Sequence, residues 1–286
     1  MKIAVYGSRR QDGHLPEIEA FMKRLGETGQ EVVMHPKLYK YLRGSMLQSL
    51  GAVRRVTDVS DFTADVAVSI GGDGTFLRTA MWLGGQDIPI VGINTGHLGY
   101  MTALGVDSLV SLPDLLQSGN MQTERRGLIE VVSPSLPTWP FALNEVTVSK
   151  DDSASMITTR AMLDGELLAD YRADGLIVAT ATGSTAYNLS VGGPIIEPRT
   201  PVWVISPIAA HALTMRPLVV SDCSALTLCP DARAEHFRLS VDGRSGSLPV
   251  GTEVSLRRAD FEVKVLHVPG SSFSETLRNK LHWGVD

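Results

Sequence analysis

Val66-Ala67-Val68-Ser69-Ile70-Gly71-Gly72-Asp73-Gly74-Thr75-Phe76-Leu77-Arg78-Thr79-Ala80-Met81-Trp82-Leu83 is the stretch on which the fold of this chain turns. Its first five residues are a continuous apolar run of the length and composition of a buried strand, and Phe76 onward reads as the opening turns of a helix. The glycine-rich turn between them places unhindered backbone N–H groups at a helix N-terminus, an arrangement that binds phosphate. Asp73 is out of place in a simple phosphate cradle, because a carboxylate repels phosphate at close range. It suits a base for a hydroxyl, an acceptor that orients a hydroxyl, or a metal ligand. The plainer reading is a tight turn in which Asp73 caps the helix.

The same alternation extends to either side. Lys2–Tyr6 reads as a strand, Leu15–Thr28 as an amphipathic helix, Glu31–His35 as a second strand, and Tyr39–Gly51 as a helical region. Ile88–Ile93 is a further short buried strand. This βαβα order predicts a parallel, Rossmann-like sheet covered by helices, with ligands at the carboxyl ends of its strands. After about residue 105 the pattern changes. Leu128–Val132, Glu145–Ser149, Ile157–Leu163, Gly175–Ala179, Val202–Ser206, Ala225–Cys229 and Phe237–Val241 are short and rich in β-branched residues. Turn formers such as Asp164-Gly165, Gly192-Gly193-Pro194 and Asp242-Gly243 separate them. The expected organisation is an α/β domain over 1–105, to which a helical tail over 270–286 returns, and a mainly β, sandwich-like domain over 106–269. Ser274 is the expected cap of the tail helix.

Composition narrows the classes. The 286 residues are 43% hydrophobic and 20% charged, which describes a globular chain. A net charge of −5 argues against a dedicated nucleic-acid surface. The opening Met1–Gly7 is too short an apolar run for a signal peptide, and Pro201–Val220 is broken by His211, Arg216 and prolines, so no membrane span is expected. Cys223 and Cys229 show neither CxxC nor metal spacing and fit a reducing, cytoplasmic location. The seven histidines lack HExxH-type spacing.

Three further strings carry chemistry. Asn94-Thr95-Gly96-His97-Leu98-Gly99-Tyr100 allows close backbone approach at two glycines, with Tyr100 placed to stack on a ring or pack under a loop. Asn144-Glu145 sets an amide beside a carboxylate at a strand start, able to read a hydrogen-bonding edge or the hydroxyls of a ribose; a surface polar pair is the plainer reading. Asp174-Gly175-Leu176-Ile177-Val178-Ala179-Thr180-Ala181-Thr182-Gly183-Ser184-Thr185-Ala186-Tyr187 joins a buried strand to a hydroxyl-rich loop with little bulk, which suits a nucleotide. Ser184 lacks the GxSxG context of a nucleophile elbow.

Together these strings resemble the NAD kinase family. GGDGT, NTGHLGY, the Asn-Glu pair and DGLIVATATGSTAY occur in that family's order and with similar spacing. The likeness continues through Ser206–Leu218, Val241-Asp242-Gly243-Arg244 and the tail Leu277–Asp286, and so covers nearly the whole chain. GGDGT alone also occurs in diacylglycerol-type lipid kinases and phosphofructokinases; the TGSTAY segment with its leading Asp-Gly singles out the NAD kinases. Ala181 stands where the family usually has proline, and Gly7-Ser8-Arg9-Arg10 follows no strict family pattern.

The resemblance implies transfer of the γ-phosphoryl of ATP to the adenosine ribose 2′-hydroxyl of NAD. It makes Asp73 the catalytic carboxylate and sets Gly72 and Gly74 against phosphates, with Arg78 and Arg172 as phosphate or ligand contacts. Asn144 and Glu145 fall at the adenosine end, and Thr185, Ala186, Tyr187 and Ser190 along the adenine and ribose pocket. Asp174 falls near the nicotinamide end, contributed from a neighbouring subunit of a homodimer or homotetramer. Arg244 occupies a site-facing position often filled by other polar residues. A divalent metal, Mg²⁺, is expected on the ATP phosphates, with no protein ligand set assigned. The alternatives are a lipid or sugar kinase using the same loop, and an NAD(H)-binding regulator without phosphotransfer.

Overall fold

The computed structural model describes residues 1–8, 11–44, 49–96, 99–102, 104–151, 155–268 and 272–284. Its contacts divide the chain into two units, Met1–Arg125 with Val263–Asp286, and Arg126–Glu262.

The first unit is built on β1 (Lys2–Gly7), β2 (Glu31–Met34), β3 (Val53–Val56), β4 (Val66–Ile70), β5 (Ile90–Asn94), β6 (Leu104–Gly105), β7 (Gln122–Arg126) and the late strand β20 (Val263–His267). The sheet order is β3-β2-β1-β4-β5-β20-β7, with β6 also on β5. β1 pairs in parallel with both β2 and β4, and β4 with β5. The order reverses at β1/β4, where crevices for ligands open beyond the strand ends. β4 and β5 are buried along their whole length, which is why they read as unbroken apolar runs.

Helices α1 (Leu15–Glu27), α2 (Pro36–Arg43), α3 (Asp73–Leu83), α4 (Leu112–Ser118) and, near the end of the chain, α6 (Phe273–Leu281) complete this unit. α1 buries Ile18, Phe21, Met22 and Leu25, one stripe at helical spacing. Each such side chain contributes about 1.5–3 kcal/mol. α2 starts earlier than the apolar pattern predicts. Pro36 fixes the first turn, and the His35 ring accepts from the Lys37 N–H as the cap. α6 is capped by Ser272, whose hydroxyl accepts from Glu275 N–H at 3.1 Å, and not by Ser274. No helix among the described residues is long and apolar enough to cross a membrane.

The contact division falls at Arg125/Arg126 and Glu262/Val263, whereas the change in sequence character suggests 105/106 and 269/270. The reason is topological: β7 and β20 both join the first sheet although they flank the β-rich region.

The second unit is a pair of antiparallel sheets. One holds β10 (Glu145–Lys150), β13 (Gly175–Thr180), β14 (Val202–Ile208), β15 (Leu218–Ser221), β17 (His236–Val241) and β18 (Arg244–Pro249), in the order β15-β14-β13-β10-β17-β18. The other holds β8 (Ile129–Ser133), β9 (Phe141–Ala142), β11 (Ile157–Leu163), β12 (Glu166–Ala173), β16 (Leu226–Asp231) and β19 (Val254–Arg258), in the order β12-β11-β16-β19-β8-β9. Val146, Val148, Leu176 and Val178 from the first sheet share one core with Ile157, Leu228 and Leu256 from the second, together with Trp203 and Phe237. That is sandwich packing. The Asp164-Gly165 and Asp242-Gly243 turns both have positive φ at both residues, the conformation a two-residue hairpin requires. Between β13 and β14 the chain forms a 3₁₀ turn (Thr182–Thr185) and a single helical turn, α5 (Tyr187–Ser190). Ala181, just before it, has φ −58°, the angle proline imposes, so alanine at this family proline position leaves the backbone path intact.

Candidate functional site

In the first unit, Asp73 is the opening residue of α3 and Gly72 is its cap, so the carboxylate does not serve as an N-cap. It turns instead to the loop after β5. Oδ2 accepts from Tyr100 N–H at 2.8 Å, and Oδ1 from Met101 N–H at 3.2 Å and Thr102 Oγ1 at 3.1 Å. Two residues must be glycine for this. Gly71 has φ +147°, and a Cβ there would strike the Thr75 hydroxyl at 2.4 Å. At Gly99 a Cβ would lie 1.8 Å from Asp73 Oδ1, so the loop backbone presses directly on the carboxylate. His97 and Leu98 of the same loop, like Arg9 and Arg10 after β1, lie outside the described residues.

The Tyr100 ring carries the Lys280 ammonium of α6, 4.3 Å from its centroid, and its hydroxyl is buried without a partner among the described residues. Arg78, one turn into α3, reaches Thr75 Oγ1 at 3.2 Å and lines a cavity of about 320 Å³ with Tyr6, His35, Lys37, Asp58 and Trp82. Burial holds the His35 imidazole down to about 4, so that ring is neutral at physiological pH. Gly72 and Gly74 are exposed and leave the helix entrance open.

In the second unit, Asn144 and Glu145 open β10, and Tyr187 opens α5; the fold brings them together. The Tyr187 backbone N–H donates to the Glu145 carboxylate. Glu145 Oε2 is buried with no partner among the described residues. Thr180 fixes the segment from β13, its hydroxyl donating to Leu143 O at 2.6 Å and accepting from Gly183 N–H at 3.0 Å. Beneath it lies Asp242, whose carboxylate accepts from Leu143, Asn144 and Glu145 N–H at 2.8, 2.8 and 3.1 Å. Burial, and then the charge of Asp242, push Glu145 up to about 7, against the pull of the Tyr187 N–H. Burial also raises Asp242, but three N–H donors and Arg244 favour its ionised form. Of the two acids Asp242 is the better supplied with donors, and Glu145, with its single donor, ionises only near neutral pH.

The hydroxyl-rich loop separates into scaffold and surface. Ser184 is fully buried, donating to Ala181 O at 2.7 Å and accepting from Ile196 N–H at 3.0 Å, a structural serine. Asn188 bridges Ser184 O, Pro194 O and the Ser206 hydroxyl. Tyr187 is 46% exposed, Ser190 is exposed, and Thr185 and Ala186 are half-buried beside them. Asp174 lies apart from this group in an ion pair with Lys150 at 2.7 Å. Arg172 is exposed on β12. The Arg244 guanidinium donates to the carbonyls of Trp139 and Phe141 and fastens the segment leading into β9. Sequence reasoning gave no role to Asp242, noted as a turn residue and within the family likeness, or to Lys280 in the tail. Among the described residues no group of three or more His, Cys, Asp or Glu could hold a metal ion.

The first unit holds an open, glycine-lined helix entrance with an oriented carboxylate, and the second an Asn-Glu pair beside an exposed tyrosine, features that suit a nucleotide phosphotransferase. The comparisons specify which. The family model described as the ATP-NAD kinase N-terminal domain matches residues 17–117, and the ATP-NAD kinase C-terminal domain matches residues 143–268. The NAD kinase of Porphyromonas gingivalis is 41% identical over 283 residues, covering 99% of this chain and 98% of that protein. That of Bacteroides fragilis is 37% identical over 288 residues, covering 100% and 99%. Among solved structures, an NAD kinase from Archaeoglobus fulgidus in complex with ATP superposes with a TM-score of 0.75 at 27% identity, covering 99% of this chain and 98% of that one. Yeast NADH kinase complexed with NADH shares the fold, with a TM-score of 0.89 at 21% identity over 100% and 89% of the two chains. The chain belongs to the NAD kinase family, enzymes that phosphorylate NAD at the expense of ATP.

Proposed function

We propose that Asp73 is the carboxylate through which this NAD kinase acts on the adenosine ribose 2′-hydroxyl. The observation that carries the reading is its hydrogen-bonding pattern. Oδ1 has two donors and Oδ2 has one, so Oδ2 keeps an acceptor direction for a hydroxyl while the other contacts fix its aim. Phosphoryl transfer asks mainly for positioning and charge neutralisation. A carboxylate held by three donors positions the hydroxyl and takes its proton as the 2′-oxygen attacks. The exposed glycine turn supplies N–H groups to the phosphates, with Arg78 as a nearby cation.

Glu145 and Asn144 read ribose hydroxyls, and the unpartnered Glu145 Oε2 is the acceptor that supports this assignment. Tyr187, with Thr185, Ala186 and Ser190, forms the adjoining nucleoside surface, and Asp174 and Arg172 serve the far end of the dinucleotide. With no carboxylate or imidazole cluster among the described residues, the divalent ion, Mg²⁺, enters on the ATP phosphates as part of the substrate. The same reading includes a homodimer or homotetramer in the cytoplasm, where Cys223 and Cys229 stay as the free thiols they are here.

The test is direct. Purified protein is given Mg-ATP and NAD, and NADP is assayed with an NADP-specific dehydrogenase. Asp73→Asn is expected to lower turnover about 10²–10⁴-fold while calorimetry still detects NAD binding. A variant with near-wild-type rate refutes the role of Asp73. Tight NAD binding by the wild-type protein without NADP formation selects the regulatory reading instead.

A further inference from the structure

α6 carries a charge on its inward stripe. Its partly buried positions are Phe273, Thr276, Leu277, Lys280 and Leu281, while Ser274, Glu275, Arg278 and Asn279 are exposed. This is the spacing of an amphipathic helix, and at Lys280 an apolar residue is expected. Burial holds the ammonium below the ordinary lysine range, and the negative charge of Asp73 draws it back up. Among the described residues no carboxylate pairs with it; the Tyr100 ring face supports it at 4.3 Å. A ring face attracts the charge without using up all three N–H donors. The same Tyr100 holds Asp73 through its backbone N–H at 2.8 Å. One residue therefore fixes the carboxylate by its backbone and the cation by its side chain.

We infer that Lys280 is a catalytic residue of this enzyme, its ammonium donating to a non-bridging oxygen of the phosphoryl group in transit. This rests on the reading of Asp73 given above. In the step, the ribose 2′-oxygen forms a bond to the γ-phosphorus, and the bond from that phosphorus to its bridging oxygen breaks. The hydroxyl proton passes to Asp73, and ADP departs with the electron pair. Negative charge is spread over the non-bridging oxygens, and a partly desolvated cation fixed beside the attacking hydroxyl stabilises it in place. A lysine that only covered the stripe with its stem would need no ammonium at that depth.

Lys280→Met keeps the stem and removes the charge. It is expected to lower kcat about 10²–10³-fold, with NAD affinity by calorimetry within about threefold of wild type and an unchanged melting midpoint. Lys280→Arg recovers at least about tenfold of the loss. Tyr100→Leu, which preserves the backbone N–H, loses less than Lys280→Met. The inference is overturned if Lys280→Met keeps kcat within about threefold of wild type. Asp73→Ala is measured alongside. If it turns over, the Asp73 assignment itself fails; if it is inactive while Lys280→Met is active, only the role of Lys280 falls.

Discussion

Replacing Asp242 by asparagine separates the support of the nucleoside site from its chemistry. Oδ2 takes Leu143 N–H, and Oδ1 takes both Asn144 and Glu145 N–H. Asparagine offers one oxygen. With that oxygen at the Oδ1 position, two bonds survive in neutral form, each weaker by about 1 kcal/mol. The amide nitrogen then opposes Leu143 N–H, and a buried donor left without an acceptor costs about 1–3 kcal/mol. Relief of a buried charge offsets part of this, leaving a net loss of about 2–4 kcal/mol. For a unit of this size that is a drop of roughly 6–12 °C in melting midpoint. The substitution also removes a negative charge that helps hold Glu145 near 7. Glu145 then ionises at lower pH, and because the ionised form is the better acceptor for ribose hydroxyls, the pH midpoint of NAD binding moves down. Thermal unfolding by circular dichroism measures the first effect, and calorimetric titration of NAD across a pH series measures the second. An unchanged melting midpoint together with an unshifted NAD profile refutes the reasoning.

Glu145→Gln tests the same carboxyl through stability. The native state holds the Glu145 proton up to about 7, against 4.5 for an unperturbed glutamate, so its stabilising contribution is complete below about 4.5 and is lost as pH rises through 7. The shift corresponds to about 3 kcal/mol. The glutamine variant should lack that slope, be more stable than wild type at pH above about 8, and bind NAD more weakly; parallel pH–denaturation curves for both proteins would contradict it. Gly99→Ala drives a methyl group into Asp73 Oδ1, and is expected to lower kcat at least about 10²-fold with NAD affinity preserved. A wild-type rate in that variant removes the clamp from the mechanism. Tyr187→Ala should change stability by less than about 1 kcal/mol, since the ring is half-exposed, yet raise the NAD Kd about 3–10-fold; unchanged calorimetric affinity would exclude it from the site.

Much of this was legible in the sequence where burial acts on contiguous residues. β4 and β5 are buried on both faces and show as apolar runs, and the hairpin dipeptides Asp164-Gly165 and Asp242-Gly243 announce themselves because so few residues accept positive φ. β3 did not show. Val53-Arg54-Arg55-Val56 is an exposed edge strand with no apolar face to report it. The helix expected at Tyr39–Gly51 begins at Pro36, because cap chemistry at His35 outweighs the apolar pattern. Asp73 in the first unit and Asn144, Glu145 and Tyr187 in the second were readable as candidate chemistry, but their supports were not. Asp242 binds backbone groups nearly a hundred positions earlier, and Lys280 meets Tyr100 only after the tail has returned. Long-range partners of that kind leave no local trace.

The position of β20 has a consequence for how such a chain acquires its structure. Val265 pairs with Ile90, and β20 sits between β5 and β7 in the interior of the first sheet. A chain synthesised from its N-terminus therefore leaves the Ile90 end of β5 without its β20 neighbour throughout the making of the sandwich, β6 pairing only at Ile93 and Asn94. Over that interval β1, β2, β4 and β5 are a template for stray strand pairing, and β7 has no neighbour on the β5 side. The sandwich, continuous in sequence, has every strand it needs before the first sheet does. The order of completion is thus inverted relative to the order of synthesis: the domain begun first is finished last.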